Sequence, residues 1–153
     1  MHLTRLAQFR ALSRAQQRAL FLAWACLPLV WLGLRVLGLA RVQAWVLRHP
    51  PVTTPQARPP LSLSEIQELG EAVNIAARHS LFPATCLTRS LFLVWLLQRQ
   101  HIASQLRIGV RLTQGALYAH AWVECEGLVV NDGADVGRRF AAFSEWLPAA
   151  AFD

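Results

Sequence analysis

Through Pro60 the chain contains no aspartate or glutamate, although Arg5, Arg10, Arg14, Arg18, Arg35, Arg41, Arg48 and Arg58 all lie there. From Leu61 onward acids slightly outnumber bases, so the net charge of +6 is a property of an N-terminal arm. Such an arm suits anionic lipid, an acidic partner or an acidic peptide. A nucleic-acid enzyme gathers bases and aromatics around its own cleft, and the C-terminal part has no such patch. Charged residues are scarce overall, 16% against 54% hydrophobic, which excludes a disordered chain. Cysteine is scarce too: Cys26, Cys86 and Cys125 are odd in number, widely separated and without a CxxC pair. That excludes a disulfide framework and a standard zinc pattern and fits a reducing, cytoplasmic setting. The start of the chain lacks a compact apolar core with a small-residue cleavage site, so no signal peptide is read. No internal repeat or low-complexity tract occurs.

What remains, at 153 residues, is enough for one ordinary domain with a core of its own. From about Leu3 to Leu47 apolar residues recur at helical spacing, with Pro28 and Gly33 as the expected kinks or breaks. The run Ala19 to Leu34 is apolar throughout but short for a membrane span, and Arg35 follows. It reads as a packing surface for the catalytic domain, a partner or a membrane interface. The prolines Pro50, Pro51, Pro55, Pro59 and Pro60 form an extended linker. The expected division is a helical arm at 1–48, a linker at 49–60 and a catalytic domain at 61–153.

After the linker, Ser64 with Gln67 signals a helix start, and Ile66, Leu69, Val73 and Ala76 form the stripe of a helix ending near His79. Thr85 then stands in N-cap position before a run from Cys86 to Gln100 with Leu87, Leu91, Val94, Trp95 and Leu97 at helical spacing. Beyond it the period becomes two: Leu106 to Leu112, a Gln114-Gly115 turn, Leu117 to Glu124, and a short run from Leu128 to Asp132. Helices followed by an antiparallel meander make an α+β fold.

Cys86 thus opens a buried helix. A cysteine attacks as thiolate, a form that the free N–H groups and dipole of a helix N-terminus stabilise, and the same groups can serve a tetrahedral oxyanion. A lone cysteine is more often a small buried hydrophobe, so its partners decide the reading. His120 lies within an alternating run. With Cys125-Glu126-Gly127 as a three-residue loop, Glu124 pairs with Leu128, Trp122 with Val130 and His120 with Asp132. A two-residue loop shifts the register and puts Asn131 there instead, and Asp135 is a further alternative. Asp132 would orient His120, which takes the Cys86 proton. Taken singly, a sheet histidine and an Asp-Gly turn are structural features; the conjunction of all three is what points to chemistry.

Other residues carry less. Arg89, one turn past Cys86, suits a thiolate or a substrate carboxylate but equally a structural role. His79 and His101 sit near helix ends, where histidine suits the dipole. Cys125 reads as a turn residue and Cys26 as packing. A zinc site of Cys86, His120 and Cys125 would need a fourth ligand, so no metal or cofactor is expected.

The strings Pro83-Ala84-Thr85-Cys86-Leu87-Thr88-Arg89-Ser90-Leu91, Ala119-His120-Ala121-Trp122-Val123-Glu124 and Asn131-Asp132-Gly133 resemble the transglutaminase-like superfamily, and within it the B-type leader peptidases of lasso-peptide biosynthesis. The resemblance runs from about Leu61 to the C-terminus. It implies a papain-like cysteine peptidase fold, with Cys86, His120 and Asp132 at the nucleophile, base and orienter positions. It further implies a precursor leader peptide as substrate, with an ATP-dependent lasso cyclase downstream. The first sixty residues are too few and too helical for a fused leader-recognition domain, so a separate leader-recognition protein is expected. The same triad in other enzymes transfers acyl groups to amines. A third reading is a catalytically silent module whose basic arm binds a partner or a membrane surface.

Overall fold

The computed structural model describes residues 13–47, 61–80 and 82–143. Three helices come first: α1 (Arg14–Leu47), α2 (Leu63–Arg78) and α3 (Cys86–Gln98). The remainder is β1 (Gln105–Thr113), β2 (Ala116–Cys125), β3 (Leu128–Val129), a one-turn α4 (Val136–Arg139) and β4 (Ala141–Ala142). The strands form one antiparallel sheet in the order β3-β2-β1-β4. This is the expected α+β layout of helices followed by a meander. The expected linker at 49–60 and the arm before Ser13 lie outside the described residues.

The break in α1 falls at neither Pro28 nor Gly33. Pro28 is accommodated within the helix, and the non-helical residue is Gly38, at φ 77° and ψ 168°. Glycine alone adopts that region readily. The chain doubles back there: a Cβ on Gly33 would lie 3.4 Å from Val42 Cγ2, whereas nine residues of straight helix would separate the pair by about 13 Å. By length and composition the segment Arg14–Val46 could also cross a membrane. One of its faces is engaged, however. Ala19, Ala23, Leu27, Val42 and Val46 are buried with the stripe Ile66, Leu69, Val73 and Ala76 of α2 and with Leu91, Phe92, Val94 and Leu97 of α3. The Trp24 indole N–H donates to the His79 carbonyl at 3.2 Å, fastening α1 to the end of α2.

The start of α2 lies two residues earlier than Ser64. Ser62 is the N-cap, with its hydroxyl taking the Glu65 N–H at 3.4 Å and Glu65 Oε2 taking the Ser62 N–H at 2.8 Å. This is the same capping-box chemistry in the neighbouring serine frame. Thr85 caps α3 as expected, its Oγ1 accepting from the Thr88 N–H at 3.3 Å.

Alternation along β2 divides the sheet. Ala121, Val123 and Cys125 enter the helical core, while fully buried Trp122 packs on the other face against Val136 and Phe140. A buried indole needs a partner; Trp122 Nε1 donates to Glu124 Oε1 at 2.8 Å, and Glu124 Oε2 pairs with Arg107 at 3.0 Å. Gly109, paired with His120, makes room for this layer, since a Cβ there would lie 3.0 Å from the Trp122 ring and 3.1 Å from Phe140 Cβ.

Candidate active site

The loop joining β2 to β3 has two residues. Cys125 pairs with Leu128 and Glu124 with Val129, and Glu126 and Gly127 both take positive φ, 51° and 78°, as a type I′ turn requires. The three-residue loop and its His120–Asp132 strand pairing are therefore wrong. The ladder ends at Val129, apart from one further bond from the Val130 N–H to the Val123 carbonyl at 3.0 Å. Asn131 does not take the orienting place either: its side chain serves Val123 N–H and Ser90. Asp132 reaches the histidine from a bend beyond the sheet, and His120 Nε2 and Asp132 Oδ2 are 2.6 Å apart. The pair is present although the pairing argument for it fails.

Asp132 is held on its other side as well. Its Oδ1 accepts from the Gly133 N–H at 2.7 Å and from Arg139 Nη2 at 3.2 Å. Burial pushes the carboxyl's pKa up. The hydrogen bonds from His120 and the Gly133 N–H and the charges of His120 and Arg139 outweigh that and leave it below the ordinary aspartate value. The carboxylate form is the one that orients an imidazole. The His120 ring stacks on Phe140 with centroids 4.9 Å apart and lies 6.3 Å from the Trp122 ring. Asp135, the alternative orienter, pairs instead with Arg139 Nε at 3.1 Å.

Cys86 occupies the first turn of α3, partly buried against the helical core. Thr85 satisfies two of the helix's first amides, Thr88 N–H through its hydroxyl and Arg89 N–H through its carbonyl at 3.1 Å. Among the described residues the amides of Cys86 and Leu87 have no partner, and no hydrogen bond joins the Cys86 thiol to His120. One turn on, Ser90 Oγ donates to the Ala121 carbonyl at 3.1 Å, fixing α3 to β2 beside His120. The two other thiols are disfavoured as nucleophiles. Burial, with Glu126 adding to it, pushes the buried Cys125 up to about 11, and burial also raises Cys26.

Arg89 is part of the scaffold: its Nη1 donates to Asn74 Oδ1 at 3.0 Å, while its buried Nε has no partner among the described residues. It lines a polar cleft of about 430 Å³ with Gln67, Glu71, Asn74, Arg78 and the segment 129–133, including Asp132. His79 follows the last turn of α2, and His101, at φ 59°, follows α3. Among the described residues no group of three or more His, Cys, Asp or Glu is placed to hold a metal. Sequence reasoning missed the supports around the pair, namely Asn74, Ser90, Arg139 and Phe140. In the sequence Asn131 stands only as a rival to Asp132. Its position next to the carboxylate was the one available signal.

The arrangement is thus a helix that opens on a cysteine, packed on an antiparallel sheet whose His120 is paired with Asp132 from the bend beyond the last strand. The family model described as transglutaminase-like superfamily matches residues 29–145, and the chain belongs to that superfamily. A segment of 66 residues is 38% identical to the microcin J25-processing protein McjB of Escherichia coli, covering 43% of this chain and 31% of that protein. The chain thus spans about a third of the length of the curated relative it matches. No solved structure matches it.

Proposed function

We propose that this chain is a cysteine peptidase that removes the leader from a ribosomally made lasso-peptide precursor, with Cys86 as nucleophile, His120 as base and Asp132 as orienter. The observation that carries this reading is the 2.6 Å contact between His120 Nε2 and Asp132 Oδ2, on a sheet packed against the helix that Cys86 opens. With Nε2 engaged by the carboxylate, Nδ1 is the nitrogen left to take the thiol proton. Catalytic hydrogen bonds commonly tighten only in the substrate complex. The thiolate attacks the scissile carbonyl, and the amides of Cys86 and Leu87 at the start of α3 supply donors for the oxyanion. The imidazolium, held by Asp132, protonates the leaving amine; water then releases the acyl group from sulfur.

The processing role in the name of the McjB relative supports the substrate class, as does the motif resemblance. On this reading the partners are the precursor leader, a separate leader-recognition protein and an ATP-dependent cyclase. The division into arm (1–48), linker (49–60) and catalytic domain (61–153) belongs to the same proposal. Its test is reconstitution with precursor and recognition protein, followed by mass spectrometry. Wild type should release leader and core, and Cys86→Ala should not. Cleavage by Cys86→Ala at the wild-type rate would overturn the triad. A product carrying an added amine in place of water would move the enzyme to acyl transfer with the triad intact.

A further inference from the structure

Asp132 lies beyond the sheet, so strand pairing does not hold it. The segment before it is held by side chains of α2 and α3 and by a backbone N–H of β2, and these meet at Asn131. In a continued ladder the Val123 N–H would go to the Val130 carbonyl, completing the pair begun by Val130 N–H. It goes to Asn131 Oδ1 at 2.8 Å instead. The other end of the amide, Nδ2, donates to Ser90 Oγ at 3.0 Å, and Ser90 donates on to the Ala121 carbonyl. The main-chain carbonyl of Asn131 accepts from Asn74 Nδ2 at 3.0 Å, and Asn74 Oδ1 accepts from Arg89 at 3.0 Å. One residue therefore fastens β2, α2 and α3 together. Arg89 and Ser90 sit one turn past Cys86, and Asn131 immediately precedes Asp132.

We infer that Asn131, with Asn74 bonded to its carbonyl, is the positioning residue that sets Asp132 against His120 and fixes the nucleophile helix relative to that pair. The Asn131 side chain ends the ladder by substituting for the Val130 carbonyl, which lets the chain turn toward His120. Both ends of the amide are needed. Asn131→Asp keeps an acceptor for Val123 N–H but loses the donor to Ser90 and adds a charge beside Asp132. A misplacement of about 1 Å in a catalytic constellation costs on the order of 10²-fold in rate.

This inference rests on the proposed triad for its kinetic consequence, and its geometric core is tested separately. The full chain is compared with Asn131→Ala, Asn131→Asp and Asn74→Ala by circular dichroism, by proton NMR of the downfield imidazole N–H signal of the His120–Asp132 bond, and by cleavage kinetics. His120→Ala assigns the signal. Folded Asn131 variants should lose the signal and show kcat lowered about 10²-fold with KM little changed. Asn74→Ala should weaken the signal and lower kcat about tenfold. If Asn131→Ala does not fold, Asn131→Asp and Asn74→Ala carry the test. An unchanged signal and unchanged kcat in folded variants would overturn the inference. Loss of the signal with cleavage unchanged would leave the positioning role standing and refute the triad instead.

Discussion

Gly70 and Val130 meet backbone to backbone: a Cβ added at Gly70 would be driven into the Val130 carbonyl and would lie 3.2 Å from Asn131 Cα. Gln67 and Asn74, on the same face of α2, bond the carbonyls of Val129 and Asn131 on either side. A glycine in mid-helix costs about 1 kcal/mol relative to alanine, and here it lets α2 lie directly on the segment that leads to Asp132. Gly70→Ala should therefore destabilise the protein despite alanine's better helix propensity, by about 1–3 kcal/mol as overpacking typically does. Urea denaturation measures this, and cleavage should fall with it. A gain in stability would mean that the contact yields freely.

The thiols should differ in reactivity. With its pKa pushed up to about 11, Cys125 is ionised in roughly one molecule in a thousand at pH 8. Cys26 is raised by burial as well. Cys86 opens α3, whose first amides have no partner among the described residues, so brief iodoacetamide treatment followed by peptide mapping should find the label on Cys86 first. Activity should disappear in step with that label. Labelling of Cys125 ahead of Cys86 would count against the assignment.

The elements around the site were legible to different degrees. Thr85 and the periodicity after it located α3 and its opening cysteine, because capping and apolar spacing are local signals. The neighbouring pattern at α2 is ambiguous in frame: Ser62 with Glu65 and Ser64 with Gln67 both have capping-box spacing, and the earlier serine adds two residues, Leu63 and Ser64, to the helix. The break in α1 was misplaced because Pro28 and Gly33 look like breakers. What decides it is tertiary, the return of Val42 onto Gly33. The support from Asn74, Ser90 and Arg139 depends on contacts between elements far apart in sequence, which no local pattern announces.

Acid should expose the role of Asp132. Its carboxyl has a pKa below the ordinary 3.8 when folded: burial works against this, and the His120 and Gly133 hydrogen bonds with the His120 and Arg139 charges prevail. A depressed folded pKa contributes stability above the unfolded value, and that contribution is lost as pH falls through the folded value. Asp132→Asn lacks it at every pH. The stability gap between wild type and Asp132→Asn should close as pH falls below about pH 4. Denaturant midpoints across that range provide the measurement, and a gap that persists unchanged to about pH 2 would remove Asp132 from the ionic pair.

The β2–β3 hairpin holds a residue in an unfavourable conformation. Glu126 sits at φ 51°, a left-handed conformation that costs a non-glycine residue about 1–2 kcal/mol and that asparagine tolerates best. A three-residue loop would need only Gly127 in the left-handed region. The pairs Cys125–Leu128 and Glu124–Val129 require the two-residue turn, for which Asn-Gly is the favoured sequence. Glu126→Asn should raise stability by about 0.5–1 kcal/mol and leave kcat unchanged, because the turn lies at the end of β2 away from His120. The same substitution removes the charge that adds to the raised pKa of Cys125, so thiol titration of Cys125 should move down slightly. If Glu126→Asn lowered stability, the two-residue turn would be wrong and the three-residue register would return.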